Sequence, residues 1–288
     1  MEKENSLLYA CWINDIELIK EKLKSVKPSH FKKSTIEVGT PLHAAALNEN
    51  KEAIELLLAA GANIEQGNFL GNNAMLTCIE NGKLDMAKFL IEKGSDINKK
   101  GCQNRNALSQ LILYSWDKTF AEYLLEKGCL INATSRDKET LLGDASAQNN
   151  IEAMNFLFEH GIDKSDMNRA MCWAIIYNST EAVRLFLNMG ADLNEMYSSC
   201  KGIEKSLFHD CLALNNRGSR TGMIQLLFDA GVNFKQAPQR AISIGLNKTK
   251  LSPYDYAIEQ SKQFPDLSDF ISENLALVDR LIASKNKC

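Results

Sequence analysis

Apolar and polar positions along the chain form a pattern that returns at nearly fixed intervals. Each copy is a run of Leu, Phe or Ile and two further residues, followed by Gly, a small residue, Asp or Asn, and an apolar residue. The six glycines are separated by 33, 34, 33, 29 and 41 residues, and they are Gly61, Gly94, Gly128, Gly161, Gly190 and Gly231. Self-similarity at such a period indicates a repeat protein built from small supersecondary units.

The best-preserved copy predicts two helices per repeat. Thr40 can cap a helix, and Pro41 suits the first turn, where a missing amide hydrogen costs nothing. A second helix carries apolar residues at helical spacing, and Gly61 ends it in the left-handed conformation. The apolar positions of the two helices are Leu42, Ala45, Ala46, Ala53, Ile54, Leu57 and Leu58. Because neither helix can bury its apolar face alone, we expect neighbouring repeats to stack.

This copy, GTPLHAAALNENKEAIELLLAAGANIE from Gly39 to Glu65, resembles the ankyrin repeat consensus, including its Thr-Pro-Leu-His tetrapeptide at Thr40 to His43. The resemblance extends over nearly the whole chain. It implies an all-α fold, an ankyrin-repeat solenoid of about seven helix-turn-helix repeats with short β-hairpin-like fingers and a helical cap at each end. Weaker copies of the tetrapeptide begin at Asn73, Asn106, Thr140, Arg169, Ser206 and Ser252.

The repeat boundaries predict one domain over residues 1–288. Its parts are an N-terminal cap at 5–38, repeats at 39–70, 71–103, 104–136, 137–163, 164–200 and 201–236, and a last repeat with the C-terminal cap at 247–288. The third repeat has one extra residue between its helices, and the finger near Asp163 to Asn168 is predicted to be short. The sixth repeat is enlarged at Glu195 to Lys205 and at Asn215 to Thr221. We interpret its two arginines, Arg217 and Arg220, as parts of a solvated loop rather than a phosphate cradle.

Composition narrows the function classes. The 33 basic and 36 acidic residues give a net charge of −3, and their even spread argues against nucleic acid as a partner. No signal peptide or apolar stretch of membrane-spanning length is present, so we predict no membrane insertion. The eight cysteines contain no CxxC pair, which favours reduced thiols in the cytoplasm, and we predict neither a metal nor a cofactor.

One string contains residue types used in catalysis, His209-Asp210-Cys211. Consecutive helical residues point about 100° apart, so these three side chains cannot converge. In the repeat register His209 corresponds to His43 and Cys211 to Ala45, which favours structural roles. We therefore predict no enzyme, and the alternative is an enzyme with a cysteine or histidine site in the sixth repeat. His30 is predicted to lie in an exposed loop.

Ankyrin-like proteins generally bind partners with finger tips and the exposed positions of the inner helices, which line the concave face. Aromatic residues and arginine are enriched at interface centres. Trp173 lies one position further towards the core than these exposed inner-helix positions, and we predict that it is a core residue. The resemblance therefore implies partner-binding residues at Phe69, Leu70, Asn72, Glu80, Asn81, Gln103, Arg105, Leu113, Tyr114, Trp116, Arg136, Asp137, Gln148, Asp166 and Tyr177.

These observations predict a non-catalytic scaffold or adaptor that binds a protein partner on its concave face. The composition also resembles that of ankyrin effectors of intracellular bacteria, which would place the chain in the cytoplasm of its own cell or of a host cell. A stoichiometric inhibitor, such as an immunity-type protein that occludes a partner's active site, would use the same surface. Sequence leaves these roles open because one scaffold hosts many functions.

Overall fold

The protein is described by a computed structural model covering residues 6–191, 197–198, 204–205, 208, 211–212, 218–236, 242–244 and 247–286. The chain forms two compact units, Met1–Asp137 and Lys138–Cys288. Both are mainly helical, as predicted. None of the described helices combines the length and the apolar composition needed to cross a bilayer.

The first unit consists of an N-terminal helical pair and three repeats. The N-terminal helices are Leu7–Trp12 and Ile16–Leu23, followed by a short helix at Pro28–Lys32. In each repeat the first helix is called inner and the second outer, and consecutive inner helices pack against each other. The three pairs are Pro41–Leu47 with Lys51–Ala59, Ala74–Glu80 with Leu84–Glu92, and Ala107–Tyr114 with Lys118–Glu126.

The helix Pro28–Lys32 corrects the prediction of an exposed loop around His30. Pro28 begins the helix, and His30 Nδ1 accepts a hydrogen bond from the Lys27 amide at 3.3 Å. Phe31 is only 9% exposed, and the helix packs against both neighbouring inner helices. The sequence of the segment is polar apart from Phe31, so its helical state depends on burying that one ring.

The second unit contains the fourth to seventh repeats. In the sixth repeat the described helical residues are Cys211, Leu212 and the outer helix. Two short antiparallel strand pairs are Tyr197–Ser198 with Glu204–Lys205, and Ile242–Ile244 with Asn247–Thr249. The helices are Leu141–Ala147, Ile151–Glu159, Met167–Ile176, Thr180–Asn188, Thr221–Asp229, Pro253–Gln263 and Ser268–Lys285.

The fifth repeat begins differently from the register based on the tetrapeptide. Its inner helix starts at Met167, so Arg169 lies inside the helix and not at its cap. A single 3-10 turn, Lys164–Asp166, directly precedes this helix, and the Asp163 carboxylate accepts the Ser165 amide at 2.8 Å. The shortened connection therefore leads directly from one helix pair into the next.

Helix ends follow the sequence rules closely. The six glycines of the repeat pattern have φ between 78° and 98°, the left-handed region where glycine carries no side-chain penalty. Asparagines cap several helices, each through a side-chain oxygen that accepts the amide three residues later. These caps are Asn50, Asn73, Asn106 and Asn150.

Candidate functional site: the finger face

A buried histidine fixes the position of the first repeat relative to the next finger. His43 Nε2 lies 2.8 Å from the Asn72 carbonyl oxygen, and because a carbonyl only accepts, Nε2 carries the proton. In the neutral ring Nδ1 is then an acceptor, for the Thr40 hydroxyl at 2.7 Å and the Thr40 amide at 3.3 Å. Burial lowers the pKa of His43 and so stabilises this neutral state. The hydrogen bond to the Asn72 carbonyl has a smaller, opposite effect on the pKa.

Asn72 is a structural residue, which corrects its predicted exposure on the binding surface. It is only 1% exposed. Its side-chain amide donates to Glu80 Oε2 at 3.0 Å, while its Oδ1 accepts the Cys102 amide at 2.7 Å. The position was assigned by register, but the polar groups of the next finger turn the side chain inward.

Hydrogen bonds to backbone groups of the fingers join the fingers of the first unit in a row. Asn72 holds the third finger through the Cys102 amide. The Arg136 amide donates to the Gln103 carbonyl at 2.7 Å, which attaches the fourth finger to the third. Because these bonds use the backbone near each tip, the side chains at the tips can face solvent. We call the surface formed by the tips and by the C-terminal ends of the inner helices the finger face.

Three predicted apolar residues are exposed on this face. Phe69 is 56% exposed and Leu70 is 41% exposed, both at the tip of the second finger. Tyr114, at the end of the third inner helix, is 57% exposed. Burial of large apolar side chains is the main source of folding free energy, and these three contribute little to it. They remain available for contact with another molecule.

The sequence prediction missed four further large apolar residues that are exposed in the first unit, and three of them lie at a finger or at an inner-helix end; the fourth is Leu130. Ile36, in the first finger, is 77% exposed, and it precedes Phe69 by one repeat length. Trp12 and Ile13 end the first N-terminal helix and are 56% and 45% exposed. The side-chain amide of Asn48 donates to the Trp12 carbonyl at 3.0 Å and so attaches this helix end to the first repeat. Extending the repeat register into the N-terminal cap would have identified them.

The other predicted residues of the first unit occupy varied environments. Arg105 donates to the Gln103 side chain, and Asn81 donates to the Thr77 carbonyl at 2.8 Å. Asn81, Gln103, Arg136 and Asp137 are exposed, whereas Glu80, Arg105, Leu113 and Trp116 are half-buried.

In the second unit the predicted residues are more dispersed. Gln148 is exposed, and Asp166 lies in the 3-10 turn. Tyr177 is half-buried and stacks on Trp173, with ring centroids 5.9 Å apart. Trp173 is half-buried and donates its indole N–H to Glu139 Oε2 at 2.6 Å, so the prediction of a core tryptophan was wrong. A polar partner at the edge of the inner helix keeps the indole near the surface.

The sixth repeat bears on the catalytic alternative. His209 and Asp210 lie outside the described residues, as does Arg217. Cys211 is completely buried, as expected from its register with Ala45. Arg220 is also completely buried, which corrects its assignment to a solvated loop. Its guanidinium donates to the Ile175 carbonyl and, at 2.9 Å, to the Ile176 carbonyl.

Most of the described cysteines are core thiols, and Cys102 is the half-buried exception. Burial raises the pKa values of Cys11 and Cys78 to about 12 and that of Cys129 to about 11. A nucleophilic cysteine needs a thiolate, which a raised pKa suppresses at neutral pH. Within the described part of the chain, no group of three or more His, Cys, Asp or Glu residues is placed to hold a metal ion.

Known proteins share this architecture. A family profile described as ankyrin repeats matches residues 7–101 and 108–197. The ankyrin repeat and KH domain-containing protein mask-1 of Caenorhabditis elegans is 24% identical over 253 residues, 85% of this chain, but the chain spans only 9% of that protein. Among solved structures, the human ASB11 ankyrin repeat domain has a TM-score of 0.60 at 19% identity, over 83% of this chain and 97% of that one. The Bcl-3 ankyrin repeat domain gives 0.55 at 18% identity, over 77% and 97%.

Proposed function

The chain belongs to the ankyrin repeat family, and from this premise we propose that it is a non-catalytic scaffold or adaptor that holds a protein partner against its finger face. Ankyrin repeats are protein-interaction modules, so binding to a protein is the general activity expected of the chain. The specific proposal concerns where the partner lies. The observation that carries it is the exposure of large apolar side chains on the finger face, above all Phe69 and Tyr114.

The location of these side chains supports an interface. Ile36, Phe69 and Leu70 lie on two successive fingers, while Trp12, Ile13 and Tyr114 lie at helix ends of the same unit. Aromatic residues are enriched at the centres of protein interfaces, where they bury a large area on binding. The hydrogen bonds that hold the fingers in a row would present these side chains in a fixed arrangement, which reduces the entropy lost on binding.

The catalytic alternative has weaker support. A site based on Cys211 would need substrate to reach a thiol that is completely buried. Alanine at Cys211 and at His209 should therefore leave the activity of the protein unchanged. Loss of that activity in a folded double variant would support the enzyme instead.

The biological role is proposed at two levels. The lack of CxxC pairs among the eight cysteines supports reduced thiols and thus a cytoplasmic location, in the producing cell or, if the protein is exported as an effector, in a host cell. The scaffold and the stoichiometric inhibitor use the same surface and differ in what happens to the partner. Measuring the partner's activity with saturating protein separates them, because an inhibitor abolishes that activity and a scaffold preserves it.

The finger face can be tested by affinity capture with cross-linking. The test variant combines Phe69→Ala, Arg105→Ala and Tyr114→Ala. The control is Leu130→Ala, which removes a side chain that is 59% exposed and lies outside the tips and the inner-helix ends. We expect the test variant to recover at least about tenfold less partner, since central interface residues each contribute more than about 1 kcal/mol. The control should match the wild type.

Circular dichroism should show the same helical content for the wild type and both variants. Recovery of the same partners at full yield by the folded test variant would refute the finger face as the binding surface.

A further inference from the structure

We propose that the finger face of the first unit binds an extended partner segment composed of an apolar block next to an acidic block. The inference rests on the proposed function and specifies the chemistry of the partner. It arises from an uneven distribution of side chains along the row of fingers. The first two fingers have exposed apolar residues at their tips, whereas the third and fourth have an exposed cation at or beside the tip, Lys100 and Arg136.

The apolar half is formed by Ile36, Phe69 and Leu70, which are 77%, 56% and 41% exposed. Ile36 and Phe69 are separated by one repeat length, so they occupy equivalent positions on successive fingers. Aliphatic side chains on either side of an aromatic ring offer a surface for apolar side chains of a partner, whose burial releases about 25 cal/mol per Å².

The cationic half is formed by Lys100 and Arg136, both exposed. Neither forms an ion pair with any residue that the structure describes. Arg105 adds a third positive charge and donates to the Gln103 side chain. No Asp or Glu occurs from residue 97 to residue 116, and Asp137 is the acidic residue next to Arg136.

Lysines elsewhere in the first unit behave differently. Lys93 pairs with Glu55 at 2.6 Å, and Lys20 pairs with both Glu17 and Glu52 at 3.0 and 3.1 Å. These two lysines are thus neutralised within the protein. Lys51 and Lys88 of the outer helices lie over aromatic rings instead, whereas Lys100 and Arg136 have neither kind of contact with the described residues. Acidic side chains of a partner would form ion pairs with Lys100 and Arg136, and their charge would also accelerate association.

The two halves are close enough to contact one segment because the fingers are linked in sequence. The Asn72 side chain holds the Cys102 amide at 2.7 Å, and the Gln103 carbonyl holds the Arg136 amide at the same distance. The apolar tip of the second finger is therefore followed directly by the cationic third and fourth fingers. An extended chain can place alternate side chains along such a row.

An acidic peptide fits this surface better than a nucleic acid. Single-stranded nucleic acids require aromatic platforms on which successive bases stack. Here only Phe69 is aromatic among the three apolar tip residues, and Ile36 and Leu70 offer no stacking plane.

The test is selection of binders from a random peptide phage library on the full chain. A selected peptide is then synthesised with a fluorophore, and its Kd is measured by anisotropy at low salt and at about 0.15 M salt. One variant pairs Ile36→Ser with Phe69→Ser, and the other pairs Lys100→Glu with Arg136→Glu. The charge control pairs Lys24→Glu with Arg184→Glu, which changes the net charge equally at positions away from the finger tips.

We expect the selected peptides to contain an apolar block and adjacent Asp or Glu residues. Loss of the apolar tips should weaken binding at least about tenfold at both salt concentrations. Charge reversal at Lys100 and Arg136 should weaken binding at least about tenfold at low salt and remove most of the salt dependence. The charge control should bind like the wild type.

Three results would overturn the inference. Peptides that depend on the apolar tips but not on Lys100 and Arg136 would refute the acidic block while leaving the proposed function in place. Peptides that depend on neither pair would contradict the finger face itself. Displacement of the selected peptide by a single-stranded oligonucleotide would indicate a nucleic acid site if the Lys100→Glu, Arg136→Glu variant no longer shows that displacement.

Discussion

Polar residues of the first two repeats have different roles, and burial decides which. Asn72 is buried with both ends of its amide bonded inside the protein, whereas Asn81 is exposed and only caps its own helix. His43 belongs with Asn72, because its two ring nitrogens bond groups in two repeats. A buried polar group whose partner is removed costs about 1–3 kcal/mol. These residues should therefore affect stability more than binding.

His43 gives a pH-dependent prediction. Since burial holds its pKa below the ordinary value of 6.5, the folded state keeps the ring neutral while the unfolded chain binds a proton as the pH falls. The stabilisation by His43 is complete above about pH 6.5 and is lost on acidification. At about pH 7.5 the His43→Ala variant should unfold at a lower urea concentration than the wild type. Its free energy of unfolding should be lower by about 1–3 kcal/mol. Its stability should fall less steeply than that of the wild type towards about pH 5.5.

The comparison between wild type and variant isolates His43, because the other three histidines are present in both proteins. Parallel pH profiles of the unfolding midpoint for the two proteins would contradict this prediction. They would show that the pKa of His43 is the same in the folded and unfolded states.

At the scale of the element, helix ends determine how repeats join. Most ends follow local rules, with Asn or Thr caps at the start and glycine after the end. The inner helix Met167–Ile176 is different, because a residue far away in sequence bonds its last carbonyls. Arg220 donates to Ile175 and Ile176 and directly precedes the outer helix Thr221–Asp229. A cation at a helix C-terminus also interacts favourably with the helix dipole.

Replacement of Arg220 should therefore destabilise the second unit. We expect Arg220→Leu to lower the free energy of unfolding by about 2–3 kcal/mol, since it leaves buried carbonyls without their charged donor. Hydrogen exchange should accelerate first in Met167–Ile176. Arg220→Lys should be intermediate, because it keeps the charge but loses the fork of donors.

The matched control is Arg184→Leu, an exposed arginine on the outer helix Thr180–Asn188. Equal stability of the Arg184 and Arg220 variants would contradict a structural role for the buried guanidinium.

At the scale of the whole molecule, each unit has its own core, and cysteines report on both. Cys11, Cys78 and Cys129 lie in the first unit and are at most 5% exposed. Cys172 and Cys211 lie in the core of the second and are 4% and 0% exposed. Cys102, half-buried on the third finger, is the most accessible of the described thiols.

Thiol labelling of the native protein should follow this division. At about pH 8 an alkylating reagent should modify Cys102 rapidly. The first-unit core thiols, with pKa values of about 11 to 12, should react only as fast as the core opens. Peptide mass spectrometry with and without urea measures each site. Rapid native labelling of Cys78 would contradict the core assignment, and labelling of all sites in urea is the control for intrinsic reactivity.

The sequence by itself determined the family, the repeat length and most helix ends of this protein. Those features depend on local chemistry, such as the glycine conformation at Gly61 and the cap at Thr40, and local chemistry can be read from a few neighbouring residues. It also identified Phe69 and Tyr114 on the finger face, because register alone places a residue at a tip or helix end.

Only the tertiary structure decided which side chains at these positions face solvent. Asn72 turns inward because the next finger supplies a backbone amide, and Trp173 stays near the surface because Glu139 accepts its N–H. Arg220 is buried because carbonyls 44 and 45 residues earlier in the chain lie beside it. Burial depends on partners brought together by stacking, and that information is absent from any single repeat.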